Sequence, residues 1–185
     1  LLIRFICFSL LSNCFFKTGK AEAFVPHYYL PKTKNLEKQS LFISKNAYQL
    51  LFFGQNKDSL NLAKLALKIY KKDAKLWLIL SEAQIANELY DNALISLKKA
   101  EEINPALSEI YFTKSSIYLK KSKLKEAKTA LKSGLKIAPN NPNALFQLGN
   151  IYLIEKNYLK SIEIFDKAIK IKPDFWQALN NKGLV

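Results

Sequence analysis

Residues 142–175, PNALFQLGNIYLIEKNYLKSIEIFDKAIKIKPDF, decide the fold. This 34-residue stretch returns, altered but in register, in the sequence before it. Pro105, Pro139 and Pro173 stand 34 residues apart, as do Ala93 and Ala127. Ala100, Gly134 and Ala168 share one column, and Ile69, Ile103, Ile137 and Ile171 another. A fixed period of this length marks stacked helix–turn–helix units. The units fall at 40–73, 74–107, 108–141 and 142–175 without insertion or deletion, and 176–185 reads as the opening of a fifth. One unit alone leaves an apolar face uncovered, so the units must stack.

The chemistry inside each unit supports the period. Apolar residues recur at helical spacing in both halves. In the second half of the third unit, Ala127, Ala130, Leu131 and Leu135 mark the inner face, and Lys125, Lys128, Lys132 and Lys136 the outer one. Small residues at Ser115, Ala127 and Gly134 allow two helices to approach, with Tyr111, Tyr118 and Leu131 filling the gaps. Pro139 cannot continue a helix, so it fixes the turn between units, as do Pro105 and Pro173. The first unit departs from this plan in two places. Ser59 stands where alanine is expected, and Lys71 where proline is expected.

With Trp77, Leu80, Ala93 and Pro105 in one unit and Leu148, Gly149, Tyr152, Tyr158, Phe165, Ala168 and Pro173 in another, residues 40–185 resemble the tetratricopeptide repeat (TPR) family. The resemblance implies an all-α fold, a right-handed superhelical solenoid of antiparallel helix pairs. It also implies a groove lined by the first helix of each unit, which holds a protein or peptide. The positions it assigns to that groove are Leu78, Glu82 and Ile85 (with Ala86), then Phe112, Ser116 and Leu119, then Phe146, Asn150 and Leu153 (with Ile154), and finally Asn180 and Leu184. Packing against neighbouring helices is the competing role for Phe112 and Phe146. Some TPR grooves clamp a terminal carboxylate through lysine and asparagine. Asn150 and Asn181 suit two such positions, but Phe146 stands where the lysine belongs, which argues against a clamp. More loosely, the layout is similar to exported TPR proteins of cyanobacterial type.

Bulk composition sets limits on function. The chain has 185 residues, 49% hydrophobic and 24% charged, too apolar for disorder. Its net charge is +14, yet Arg4 is the sole arginine. Phosphate and base recognition favours arginine, whose planar fork bonds in pairs, so nucleic acid is a poor partner. Outer-helix lysines, Lys64, Lys68, Lys98, Lys99, Lys128, Lys132 and Lys136, keep a second function open: electrostatic adsorption to a membrane surface or an anionic polymer. The ordinary reading of such lysines is a solvated face.

Residues 1–23 read as a secretory signal peptide. Arg4 gives a positive start, residues 5–16 are mostly apolar, and Ala21-Glu22-Ala23 offers small residues for cleavage. An uncut anchor, a lipoprotein attached at Cys14 after Leu11-Ser12-Asn13, and an internal piece of a longer chain are the alternatives. Cleavage predicts an exported protein, in a periplasm or a thylakoid lumen, without Cys7 and Cys14 and so without thiol chemistry. Retention predicts membrane anchoring. A start at Leu1 with no methionine predicts either a non-standard start codon read as leucine or residues missing upstream, and a fifth unit broken off at Val185 predicts either a frayed end or a longer chain. Residues 24–39, with Pro26, Pro31 and the aromatics between them, predict an extended arm.

The sequence gives no sign of catalysis. His27 is the single histidine, which excludes a paired metal site or a Cys–His couple. Five glycines form no phosphate loop. Glu101, Glu102 and Glu109 read as solvated inter-repeat carboxylates. The expectation is a non-enzymatic binding protein with no catalytic residues, metal, cofactor or small-molecule substrate.

Overall fold

The computed structural model describes residues 36–185. The signal-peptide reading, Cys7, Cys14, His27 and residues 24–35 of the arm lie outside the described residues. Every helix or strand among the described residues is an α-helix: α1 Leu36–Phe52, α2 Asn56–Ile69, α3 Ala74–Ala86, α4 Tyr90–Ile103, α5 Ser108–Lys120, α6 Leu124–Ile137, α7 Pro142–Ile154, α8 Tyr158–Ile171 and α9 Trp176–Gly183. Helices α3, α5 and α7 begin at 74, 108 and 142, the unit boundaries read from the period. Residues 36–39 are helical, so α1 starts four residues before the first unit was expected to.

Each unit is a helix pair, α1 on α2 through α7 on α8, and each second helix also packs on the first helix of the next unit. First helices touch as well, α1 with α3 and α3 with α5. Apolar clusters run through the stack from the second unit onward. One joins Leu78, Ala93, Leu97 and Ala100 to Ile110 and Ile117. Another joins Ala127 and Leu131 to Ala144, Leu148, Ile151 and Tyr152. The last joins Leu145, Phe165 and Ala168 to Phe175 and Ala178. Every cluster crosses a unit boundary, so each unit's core is completed by its neighbour. Phe165 is fully buried, a burial worth about 1.5–3 kcal/mol.

The turn inside each unit repeats as strictly as the helices. Gly54, Glu88, Ser122 and Lys156, 34 apart, have φ of 72°, 61°, 57° and 58°. The N–H of the next residue bonds back to the helix: Gln55 to Leu50 O, Leu89 to Gln84 O, Lys123 to Tyr118 O and Asn157 to Tyr152 O, at 2.8–2.9 Å. These are Schellman closures, which satisfy carbonyls that the helix end leaves unpaired. Only the first uses glycine, although a left-handed backbone costs an L-residue about 1 kcal/mol or more.

The first unit's departures keep their roles. Ser59 Oγ donates to Ala47 O at 2.7 Å, and its counterpart Ser161 donates to Gly149 O at 3.0 Å. The hydroxyl is satisfied by the partner helix, so serine replaces alanine without an orphaned polar group. At the turn without proline, Lys71 O accepts from Trp77 Nε1 at 2.9 Å, just as Pro105 O accepts from Tyr111 Oη at 3.0 Å. An aromatic donor ties the turn in both units.

Helix contact also follows size matching. At two facing positions of the repeat, the units carry Ala47 with Ala63, Ser81 with Leu97, Ser115 with Leu131, and Gly149 with Phe165. The largest residue faces the smallest. A Cβ on Gly149 would lie 2.5 Å from the Phe165 ring.

Candidate functional site

The candidate surface is the face of the first helices that their own second helices leave uncovered. The repeat places Tyr48, Glu82, Ser116 and Asn150 in one column, 34 apart, on α1, α3, α5 and α7. Tyr48 and Ser116 are exposed, while Glu82 and Asn150 are half-buried. Asn181 Nδ2 on α9 donates to Asn150 Oδ1 at 2.7 Å, joining the column to the next first helix. Ser116 Oγ donates to Phe112 O, one turn back in its own helix, at 3.2 Å.

Glu82 differs from the rest of the column. Burial pushes its carboxyl above the ordinary value of 4.5, and no hydrogen bond or ion pair reaches it among the described residues. A desolvated, unpaired carboxylate weakens the free protein and suits a cation or N–H donor from outside. Ser115 Oγ on α5 and Gln147 Oε1 on α7 are buried polar atoms without a hydrogen-bond partner.

The other expected groove residues divide into two groups. Leu78 is 9% exposed and belongs to the first apolar cluster, against which half-buried Ile85 also packs. Phe112 lies over Gly134, whose Cβ would meet its ring at 2.4 Å, and packs with Leu119 on the second cluster. The Phe146 ring centroid is 5.9 Å from Phe165 and 5.2 Å from Phe175. These five side chains hold helices together on at least one face. Leu153 is half-buried and Asn180 exposed, and neither joins a cluster. Tyr48 was missing from the sequence reading because its unit is the most altered. Subtracting one period from Glu82 finds it.

Several of the charged residues are paired at the surface, while Glu109 is exposed. Glu101 pairs with Lys114, Glu102 with Lys99, and Lys128 with Glu155. Lys128 Nζ also sits 4.2 Å from the Tyr152 ring centroid. Of the outer lysines, Lys99 and Lys128 are therefore committed within the fold, whereas Lys64, Lys68, Lys98, Lys132 and Lys136 are exposed. Among the described residues, no three His, Cys, Asp or Glu side chains gather as a metal site.

Comparison with known proteins matches this geometry to repeats already described. The family model described as "Tetratricopeptide repeat" matches residues 74–107 and 142–175, and the one described as "TPR repeat" matches 116–154. The chain is similar to Protein O-mannosyl-transferase TMTC1 of Homo sapiens, 22% identical over 168 residues, which covers 89% of this chain and 19% of that protein. It is also similar to Anaphase-promoting complex subunit 3 of Schizosaccharomyces pombe, 29% identical over 86 residues, 46% of this chain and 13% of that one. The chain thus spans less than a fifth of these curated relatives. Among solved structures, MamA from Desulfovibrio magneticus RS-1 superposes with a TM-score of 0.70 at 20% identity, covering 81% of this chain and 85% of MamA. YrrB, described as a TPR protein with an unusual peptide-binding site, superposes at 0.63 and 23% identity, covering 80% and 84%.

Proposed function

This chain carries tetratricopeptide repeats, and we propose that it is a scaffold whose first-helix face holds an extended segment of a protein partner. The column Tyr48, Glu82, Ser116 and Asn150 carries the reading, because these side chains stand in register on successive first helices and each keeps some exposure. Tyrosine supplies apolar area with a polar tip. Asparagine offers both donor and acceptor to a peptide backbone. Glu82 supplies an acceptor that the fold leaves unmatched. The peptide-binding site named for YrrB agrees with this use of the fold. A role in assembling a membrane-associated complex, and an exported location, belong to the same proposal. An N-terminus at Phe24 in protein purified from its native host checks the location.

Phe146→Ala is a poor test, because Phe146 supports Phe165 and Phe175. Glu82→Lys and Asn150→Ala alter two half-buried members of the column that belong to none of the apolar clusters. Affinity capture at moderate salt should recover a defined partner with the wild type and lose it with either variant. A partner kept by both variants and released by salt alone would overturn the groove reading.

A further inference from the structure

The turns within the four units form one edge of the stack, and hydrogen bonds and ion pairs link each turn to the next. Asn56 Nδ2 donates to Ala86 O at 2.9 Å, and Asn87 Nδ2 donates to Asn56 O at 2.8 Å. Lys121 pairs with Asp91 across the next gap, and Lys128 with Glu155 across the last. This edge carries apolar side chains that the fold does not use. At the fourth unit's turn Leu159 is 85% exposed, with Ile154 and Tyr158 also exposed. At the far end Phe52 and Phe53 are 83% and 73% exposed and stack edge to face, 5.5 Å apart.

Lysines stand at the turn of the third unit and beside the apolar tip of the fourth. Lys120, Lys123 and Lys125 stand at one turn and Lys156 at the other, all exposed and none within a salt bridge, although Lys123 also attracts Asp91 electrostatically. The nearby acids are fewer. Glu155 is neutralised by Lys128, Asp91 by Lys121, and Glu126 remains. Glu88 and Asp58 belong to the turns of the first two units.

We propose that the turn edge of the third and fourth units docks on an anionic lipid surface. Tyr158, Leu159 and Ile154 enter the interfacial layer, and Lys120, Lys123, Lys125 and Lys156 lie over the headgroups. Apolar groups beside lysines at protruding turns match a bilayer interface, where amphipathic tips sit between hydrocarbon and water. Protein interfaces, in contrast, are depleted of lysine at their centres. Nucleic acid is disfavoured by the absence of arginine from residues 36–185. No helix among the described residues is long and apolar enough to cross a membrane. It differs from the outer-helix lysine surface expected from the sequence, because it uses another edge and adds apolar contact. Only Ile154 is shared with the groove positions expected from the sequence.

The test is flotation of the full chain with phosphatidylcholine vesicles, with and without about 30% phosphatidylglycerol. The N-terminal apolar segment is then common to every sample. Tyr158→Ser with Leu159→Ser, and separately Lys123→Glu with Lys125→Glu, should each weaken partition onto the anionic vesicles by about tenfold or more. Melting should be unchanged, since these side chains are outside the core. A local readout runs alongside: a benzophenone side chain at position 159 should crosslink to lipid, and one at position 140, on the opposite edge, should not. Binding that survives both variants, equal labelling at 159 and 140, or loss of a dimer in place of vesicle binding would overturn the proposal.

Discussion

Helices α7 and α9 begin on the same plan and meet different surroundings. Ala144 matches Ala178, Leu145 matches Leu179, and Gly149 matches Gly183. The alanines are buried in both, because each faces the preceding unit. The leucines differ, with Leu145 at 6% exposure and Leu179 at 47%. The glycines differ further. A Cβ on Gly149 would strike Phe165, while a Cβ on Gly183 would meet nothing within 4 Å. Helix α7 has its own second helix, α8, packed on it, and α9 has no such helix among the described residues. A repeat position therefore has no fixed energetic role. The second helix turns Leu145 and Gly149 into core positions, and without one the same residue types are surface.

The largest test of this comparison removes the ring itself. Phe165→Ala should destabilise the protein by about 3–5 kcal/mol, as truncation of a fully buried aromatic does, measured by urea unfolding. Next come the leucines. Leu145→Ala should cost about 2–5 kcal/mol, and Leu179→Ala clearly less. Equal losses would mean that α9 is covered after all.

A smaller effect probes the turns that bring each second helix into place. Ser122→Gly should stabilise by about 0.5–1 kcal/mol, since glycine accepts φ near +57° without strain. Glu88→Gly and Lys156→Gly should act alike in thermal melts. Gly54→Ala should move stability the opposite way.

The smallest effect depends on pH and concerns the uncovered face. Glu82 has a raised folded-state pKa, so the folded protein binds its proton more tightly than the unfolded chain. The group favours folding at low pH, and that contribution is lost as pH rises from about 4.5 through the folded-state value. Glu82→Gln should therefore be more stable than the wild type at neutral pH. The difference should vanish in acid, as chemical unfolding at two pH values will show.

Much of the architecture was readable because its signals are local. Prolines 34 residues apart, small residues in fixed columns and helical spacing mark two helices per unit, and α3, α5 and α7 begin where units open. Helix α1 was less legible, since the 34-residue register put the first unit's start at Ser40 and Asn35, a capping residue type just before Leu36, was not read as a helix start. Other features depend on the partner across the contact. Lys71 replaces a proline, yet its carbonyl keeps the bond to Trp77. Nothing in Glu88, Ser122 or Lys156 announces a left-handed turn, because the Schellman bonds impose it. The matching of Gly149 to Phe165 appears only when two columns are read together. The groove was legible as a register but not as a surface. Sequence could name Phe112 and Phe146, but only packing could show that both support neighbouring groups. It could name Glu82, but not that the side chain lacks a partner.

The central claim is that a packed second helix gives a repeat position its energy. Urea unfolding of Gly149→Ala and Gly183→Ala, measured side by side, tests it most directly. Gly149→Ala should lose about 1–3 kcal/mol, because the fully buried Phe165 ring has no room to yield. Gly183→Ala should be neutral or gain a few tenths of a kcal/mol from alanine's better helix propensity, up to about 1. Equal effects of the two substitutions, or a larger loss at Gly183, would contradict the claim.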